Sequence, residues 1–242
     1  MSQQVVERGK PADYGQEIVK RRSRITASLV SLRDKKVLDF GAGNGAQTFE
    51  LLPLGCTIVA CDVDAGDLTI LRENVRALGV TSVSDVLYDG VHLPFPAASF
   101  DAVVSYQVIE HVDDEASALA EIRRVLRPEG DFVVSVPNKW WVFETHGARL
   151  PYLPWNRVPF FSWLPKAIHS KYARARIYRE RDIINLVQRH GFDVVKATYM
   201  TAPMDVVKSP AIQRFLRTTV FRGDQTTLPF LATEIFLYCR KR

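Results

Sequence analysis

The sequence predicts an α/β protein built around one mostly parallel β-sheet. Three observations indicate this class: short apolar runs alternate with segments of helical periodicity, a glycine-rich turn follows the first run, and Gly or Pro residues mark most boundaries. Such alternation is typical of a doubly wound, Rossmann-like sheet with helices on both faces. We expect seven strands, and the 242 residues fit one domain spanning 1–242.

The first part of the chain supplies most of the predicted elements. KVLDF is a short apolar run that ends in glycines, TIVACD is an uninterrupted buried run, and Gly79 closes a helical segment. A turn at RPEG separates the last helix of this region from the fifth strand. The predicted strands are 36–40, 57–62, 82–88, 100–109 and 131–138. The predicted helices are 16–32, 46–54, 68–78 and 115–126.

The rest of the chain divides into an insertion and a C-terminal part. A helix is expected at 179–189, before Gly191, and strands are expected at 193–199 and 232–240. We therefore divide the domain into a cofactor-binding core at 34–138, an insertion at 139–178, and C-terminal strands and helices at 179–242.

The insertion at 139–178 is rich in Trp, Phe and Pro and has no clean period. It is either a proline-braced surface loop whose aromatic side chains cap the core, or a lid over the substrate. The lid is slightly favoured because ligands of open α/β sheets bind outside the carboxyl ends of the strands, where this segment begins. Its candidate acceptor-facing groups are polar (Glu144, His146, Tyr152, His169 and Tyr172) or aromatic (Trp140, Trp141, Trp155 and Trp163).

Composition and charge exclude several classes. No apolar run has the length of a membrane span and the N-terminus lacks the apolar core of a signal peptide, so we expect a cytoplasmic protein. The net charge of +5 comes largely from local clusters, which argues against a nucleic-acid groove. Basic residues at 166–181 either form a solvated helix face or contact a membrane surface or anionic acceptor. The three cysteines have no metal-ligand spacing and are expected in the core.

The strongest local signal is a strand that runs through VLDFGAGNGA directly into a helix. Gly41 and Gly43 allow a tight turn and leave the backbone accessible to a ligand. Asp62, at the end of the second predicted strand, is placed to accept hydrogen bonds from ribose hydroxyls. These features fit several ribose-containing cofactors, including a nicotinamide dinucleotide.

Further motifs distinguish these cofactors. Together with VLDFGAGNGA, the segments YDGVHLPF, FDAVV, IEHV and RVLRPEG resemble, in order, the class I S-adenosylmethionine-dependent methyltransferases, in particular their small-molecule and quinone-precursor branch. The resemblance covers about residues 37–138. It implies S-adenosylmethionine as the cofactor, an antiparallel last strand, and methyl transfer to a small-molecule, glycan or lipid-like acceptor, at oxygen.

The same resemblance implies a role for individual residues. The glycine loop would hold the methionine end of the cofactor and Asp62 the ribose, while Asp89 with Gly90 would bind the adenine. Gln107 would lie beneath the sulfonium, and Tyr14 would close over the cofactor. Tyr14 could equally pack against the edge of the core.

His111 is the candidate general base, because it follows the fourth strand at the carboxyl edge and an imidazole titrates near neutral pH. An architectural role for His111 is the alternative, and Glu110 is expected to be structural. In similar quinone-precursor O-methyltransferases a metal site includes an acid at the position of Gln107 together with the Glu-His pair. Because hard cations prefer carboxylate oxygens, the amide at this position leads us to expect no metal.

Two other function classes stay open. A nicotinamide-dependent oxidoreductase is compatible with GAGNGA and Asp62, although no catalytic Tyr-x-x-x-Lys lies in a matching place. A noncatalytic cofactor-binding subunit would keep the same loop and acids. Base methylation is disfavoured, because SYQVIEHV stands where an Asp/Asn-Pro-Pro-aromatic motif would be expected.

Overall fold

The computed structural model describes residues 17–148 and 159–242. Through them runs one sheet of eight strands in the order β3-β2-β1-β4-β5-β8-β6-β7. The strands are β1 (Lys36–Phe40), β2 (Thr57–Asp62), β3 (Val83–Leu87), β4 (Phe100–Tyr106), β5 (Leu126–Pro137), β6 (Phe192–Thr201), β7 (Gln225–Thr226) and β8 (Ala232–Lys241). The fold class predicted from the sequence is confirmed.

Strand direction follows the expected pattern. Strands β1 to β5 pair in parallel, whereas β8 is antiparallel to both of its neighbours, β5 and β6. The sequence predicts seven strands, and the eighth is the two-residue β7, which extends the edge beyond β6. Two residues are too short to show the alternation of side chains by which a strand is identified in a sequence.

Helices cover both faces of the sheet. They are α1 (Glu17–Leu29), α2 (Ala46–Leu51), α3 (Ala65–Leu78), α4 (Glu115–Val125), α5 (Lys166–Tyr172), α6 (Glu180–Arg189) and α7 (Pro210–Thr218). On one face, α4 and α6 pack onto the sheet through side chains such as Leu119 and Ile183. On the other face, α1 and α3 do so through side chains such as Ile25 and Leu68. The doubly wound arrangement therefore rests on two apolar layers.

Some element boundaries differ from the sequence prediction for local reasons. Strand β4 ends at Tyr106 because Gln107 has a left-handed backbone with φ of 59°, which turns the chain out of the sheet. Strand β5 begins at Leu126, because Leu126 already pairs with Phe100 before the predicted turn. Helix α7 was not predicted. It is amphipathic and none of its residues is buried.

The carboxyl ends of β1, β2, β3 and β4 meet at one edge of the sheet, since these strands are parallel neighbours. These strand ends and the loops that follow them carry the predicted cofactor-binding residues and His111, within the described part of the chain. Among the described residues, no helix is both long and apolar enough to cross a bilayer.

Candidate active site

The loop after β1 is a glycine turn with two distinct requirements. Gly41, Gly43 and Gly45 all have positive φ, at 79°, 53° and 85°. A Cβ atom on Gly41 would stand 2.4 Å from Cγ2 of Val108, so this glycine allows the β1 and β4 loops to pack together. A Cβ on Gly43 would find no atom nearer than 3.9 Å. Space for a ligand is therefore left at Gly43.

Asp62 fastens this loop to the end of β2. Its Oδ2 atom accepts a hydrogen bond from the Gly43 N–H at 2.8 Å, and its Oδ1 atom accepts from the N–H groups of Val63 and Asp64 at 2.7 and 2.9 Å. The residue is 8% exposed. The structure thus brings Gly43 and Asp62 together, and the orientation of the carboxylate is fixed by three backbone donors.

A second carboxyl group beneath the loop was missed by the sequence analysis. Asp39 lies in β1, is buried, and accepts a hydrogen bond from the Thr48 hydroxyl at 2.7 Å. Burial raises the pKa of Asp39 to about 6, and the nearby charge of Asp62 acts in the same direction. The sequence does contain a signal for this role, namely an acid inside an otherwise apolar strand just before the glycines. A buried acid is costly unless it has a hydrogen-bond partner. Asp39 supports the turn from below.

The loop after β3 continues the same edge. The Tyr88 N–H donates to the Asp62 carbonyl at 3.1 Å, which places Asp89 next to the end of β2. Asp89 is exposed, and its Oδ1 atom accepts from the N–H groups of Val91 and His92 at 2.8 and 2.7 Å. These two bonds hold the pKa of the Asp89 carboxyl below its usual value. Gly90 makes the turn with φ of 87°.

Gln107 begins the loop after β4. Its N–H donates to the Ser135 carbonyl at 3.0 Å, and its side-chain Nε2 is buried without a hydrogen-bond partner. An unpartnered buried amide is costly, so it marks a position where a ligand group or water is expected. The adjoining Val108 packs against Gly41, which places Gln107 beside the glycine loop.

His111 lies further along this loop. Burial lowers the pKa of its imidazole to about 4, and the positive charge of Arg176 adds to that effect. The imidazole is therefore neutral at pH 7. Its Nδ1 atom is buried and has no hydrogen-bond partner.

The insertion brings His146 onto His111 and Glu110. The two imidazole rings meet edge to face, with centroids 4.7 Å apart. Nε2 of His146 lies 3.5 Å from Oε1 of Glu110, whose side chain is fully buried. Burial raises the pKa of Glu110 well above its ordinary value. Glu110 is expected from the sequence to be structural and His146 is one of several loop histidines, and no spacing in the sequence indicates that the two side chains meet.

Other contacts fasten the insertion to the sheet edge. The Arg176 guanidinium donates to the Val112 and Asp113 carbonyls at 2.5 and 3.0 Å. Nε2 of His169 and Oε2 of Glu144 lie 2.8 Å apart, and both side chains are buried. The insertion is thus tied to the β4 loop and braced internally by an acid–imidazole pair.

Aromatic side chains of the insertion divide into two groups. Trp141 is buried and packs against Phe143 and Phe221, with ring centroids 6.0 Å apart in each pair. Trp140 and Trp163 keep 39% and 45% of their surface exposed. Trp141 therefore caps the core, whereas Trp140 and Trp163 form an exposed aromatic surface. Tyr14, Tyr152 and Trp155 lie outside the described residues, so their predicted roles stay predictions.

The mostly parallel sheet, the glycine turn after β1 and Asp62 at the end of β2 together define a Rossmann-like fold of the methyltransferase type. Residues 38–134 match a family model described as a methyltransferase domain. The solved structure of an S-adenosylmethionine-dependent methyltransferase from Aquifex aeolicus superimposes with a TM-score of 0.62 at 14% identity, covering 93% of this chain and 92% of that one.

Curated relatives agree with this class. A probable S-adenosylmethionine-dependent methyltransferase of Mycolicibacterium smegmatis is 28% identical over 177 residues, which are 71% of this chain and 66% of the relative. A demethylmenaquinone methyltransferase of Corynebacterium glutamicum is 35% identical over 122 residues, which are 50% of each chain. The chain thus spans about half to two thirds of the length of these relatives.

Over residues 38–134 the chain carries a methyltransferase domain, and its relatives and its fold agree with the class I S-adenosylmethionine-dependent methyltransferases that its motifs resemble. S-adenosylmethionine is accordingly the cofactor of this domain.

Proposed function

We propose that the protein transfers the methyl group of S-adenosylmethionine to an oxygen atom of a small-molecule, glycan or lipid-like acceptor. The observation that carries this proposal is the 2.8 Å hydrogen bond between Gly43 and Asp62. It joins an open backbone turn to a fixed carboxylate at one edge of the sheet. A ligand with an extended chain on one side and a ribose on the other suits this pair.

In the proposed complex each strand end serves one part of the cofactor. Gly41 and Gly43 leave room for the methionine end, and Asp62 accepts from the ribose hydroxyls. The exposed Asp89 carboxylate, with Gly90, receives the adenine amino group. These sites occur in the same order as strands β1, β2 and β3.

Gln107 and Tyr14 complete the proposed cofactor site. The unpartnered Nε2 of Gln107 lies beside the glycine loop, where the sulfonium region would be. Tyr14 would close over the cofactor from the segment that precedes α1.

The chemistry needs an acceptor held in line with the methyl group. The acceptor oxygen forms a bond to the methyl carbon as the carbon–sulfur bond breaks, S-adenosylhomocysteine leaves, and the hydroxyl proton passes to a base. His111 is the proposed base, since its imidazole is neutral at pH 7. A base with a pKa near 4 gives limited driving force, so positioning supplies most of the rate enhancement.

The insertion is proposed to select the acceptor. Its exposed Trp140 and Trp163 offer an apolar surface suited to a ring or an isoprenoid chain. Quinone precursors are a sensible first class, because one relative is named a demethylmenaquinone methyltransferase. The basic residues at 166–181 are proposed to bind an anionic acceptor or to make peripheral contact with a membrane surface.

A titration tests the cofactor site. Isothermal titration with S-adenosylhomocysteine is compared with NADH on the wild type and on Asp62→Ala, Asp89→Ala and the control Asp193→Ala, whose carboxylate is exposed and pairs with Arg242. We expect micromolar binding of S-adenosylhomocysteine, weakened by the first two substitutions only. Binding of NADH alone would support the oxidoreductase alternative and end this proposal.

A turnover assay tests the reaction. Release of S-adenosylhomocysteine is measured with phenolic, quinone-precursor, glycan and isoprenoid acceptors. We expect one class to stimulate release, and His111→Asn to lower kcat by about 10²-fold or more with a smaller change in KM. Tight cofactor binding without release for any class would favour a noncatalytic subunit or another reaction.

A further inference from the structure

Three side chains from two parts of the chain meet at the carboxyl end of β4. Glu110 and His111 come from the β4 loop, and His146 comes from the insertion. One nitrogen of each imidazole and one oxygen of the carboxylate all lie within 4.8 Å of one another. Two imidazoles and a carboxylate offer electron-pair donors of the kind that bind transition-metal ions.

The cluster contains buried acceptor atoms without donors. Both carboxylate oxygens of Glu110 and the Nδ1 atom of His111 are buried with no hydrogen-bond partner. The Glu110 side chain is fully buried. Buried polar atoms are nearly always satisfied in proteins, and a single cation would satisfy the carboxylate and the imidazole at once.

We propose that Glu110, His111 and His146 bind one divalent transition-metal ion, with Zn²⁺ as the best-suited species. The ligand atoms would be a carboxylate oxygen of Glu110, Nδ1 of His111 and Nε2 of His146. With metal–ligand bonds of about 2.1 Å, two ligands of a tetrahedral site stand about 3.4 Å apart. The 3.5 Å between Glu110 Oε1 and His146 Nε2 already matches this separation. Three protein ligands leave the fourth position open to water or an acceptor oxygen.

The surroundings of His146 support this choice of atoms. Its Nδ1 lies 3.1 Å from the Thr145 hydroxyl, and its backbone N–H donates to Oε1 of Glu144 at 3.3 Å. A partner on one imidazole nitrogen fixes the ring and directs the other nitrogen to the metal. Nε2 is therefore presented to Glu110 by the local structure of the insertion.

Nearby charges act in both directions. Arg176 lies close enough to influence His111 and Glu110 and disfavours an added cation, but its guanidinium is engaged with backbone carbonyls. Glu234 contributes a second negative charge near Glu110 and is itself paired with Arg22. Arg22 and Arg176 thus act against an added cation near Glu110, and Glu234 acts in its favour.

The proposal departs from the expectation drawn from Gln107. No metal was expected because position 107, three residues before Glu110, carries an amide and not an acid. The third ligand proposed here is His146 of the insertion, and no local spacing in the sequence reveals that it lies near Glu110. The lone pair of His111 Nδ1 serves one purpose at a time. In the metal-loaded protein His111 is therefore a ligand, and its proposed role as a base applies to the metal-free protein.

The test measures metal binding directly and does not depend on methyl transfer. The full chain is stripped with a chelator and titrated with ZnCl₂ by calorimetry, and bound zinc is quantified by mass spectrometry after desalting. Co²⁺ is used as a second probe, because its visible absorption reports coordination by nitrogen and oxygen ligands. The variants are Glu110→Gln, His111→Asn and His146→Asn, with the exposed His92→Asn as the matched control. Titration with S-adenosylhomocysteine on each variant checks the fold and the cofactor site separately.

We expect one equivalent of zinc in the wild type and in His92→Asn, and at least about tenfold weaker binding in the other three variants. Should His111→Asn fail to fold, Glu110→Gln and His146→Asn decide the question. The proposal is overturned if the wild type binds no zinc, or if those two variants retain stoichiometric zinc. If the wild type binds no zinc but binds S-adenosylhomocysteine, the metal proposal fails and the proposed function stands. If the wild type binds zinc but no S-adenosylhomocysteine, the proposed function fails and the metal proposal stands.

Discussion

The N–H of Gly43 donates to Oδ2 of Asp62 at 2.8 Å, which ties the turn after β1 to the end of β2. Three backbone donors already occupy the carboxylate of Asp62. A carboxylate offers about four acceptor positions, so ribose hydroxyls must share Oδ2 with Gly43 or displace its N–H.

Replacement of Asp62 by asparagine keeps the size of the side chain, removes its charge and turns one acceptor oxygen into an NH2 donor. We expect Asp62→Asn to bind S-adenosylhomocysteine at least about tenfold more weakly, because charge-assisted hydrogen bonds are lost and the NH2 group cannot accept from a backbone N–H or a ribose hydroxyl. Calorimetric titration measures the change. Equal affinities for wild type and variant would show that Asp62 does not contact the cofactor.

Two glycines of the same turn should respond differently to alanine. Gly41→Ala puts a Cβ against Val108 at positive φ, and we expect a loss of about 2–4 kcal/mol in the free energy of unfolding. Gly43→Ala places its Cβ no nearer than 3.9 Å to any atom, so only the backbone cost of about 1–2 kcal/mol applies, while the added methyl group enters the proposed cofactor space. Urea unfolding and S-adenosylhomocysteine titration separate the two effects.

A paired substitution provides the control for this comparison. Val108→Ala should recover part of the stability lost in Gly41→Ala, since it removes the two methyl groups nearest the new Cβ. No recovery would mean that the backbone conformation, and not the contact with Val108, limits position 41.

The buried Asp39 makes stability depend on pH. Its folded-state pKa of about 6 lies above the ordinary value of 3.8, so the folded protein holds a proton that the unfolded chain releases. The corresponding stabilisation is complete below pH 3.8 and is lost as pH rises towards 6. Asp39→Asn cannot ionise and should not show this loss.

Urea unfolding at pH 4.5, 6 and 7.5 measures the effect. Between the lowest and the highest pH, the free energy of unfolding of Asp39→Asn should rise by about 1–3 kcal/mol relative to that of the wild type. This difference does not depend on the absolute stability of the variant. Parallel pH profiles for the two proteins would indicate that Asp39 ionises equally in both states.

The pair of Glu144 and His169 braces the insertion. His169→Ala leaves the Glu144 carboxylate buried without its imidazole partner. We expect the free energy of unfolding to fall by about 3 kcal/mol. Glu144→Gln combined with His169→Ala should lose less than the sum of the single changes, because the unpaired acid is absent. A double-mutant cycle from urea unfolding measures the coupling, and additive losses would contradict this role.

Much of the sheet was predictable from the sequence, because buried parallel strands are continuous apolar runs such as residues 57–62. The glycine turn and the position of Asp62 were predictable for a similar reason, since a tight turn requires glycine and Asp62 ends an uninterrupted apolar run. Helix α7 was missed although its amphipathic pattern and Pro210 at its start can be read in the sequence.

The cluster of Glu110, His111 and His146 could not be predicted, because it depends on how the insertion folds back over the β4 loop. Sequence separation of 35 or 36 residues carries no periodic signal. Only tertiary structure shows which of the loop histidines approaches the buried acid. Asp39 is an intermediate case, since its burial was readable from the apolar run but the shift of its pKa was not.

Strand β8 lies between β5 and β6 and is antiparallel to both. Strands β1 to β5 can pair with one another as soon as they are synthesised, whereas β6 and β7 reach the sheet only through β8. The two halves of the sheet are therefore joined by a strand that leaves the ribosome after all its partners. Assembly of the sheet is completed by inserting an interior strand, so a nascent chain that stops before residue 232 leaves β5 and β6 without the partner that β8 provides to both in the folded protein.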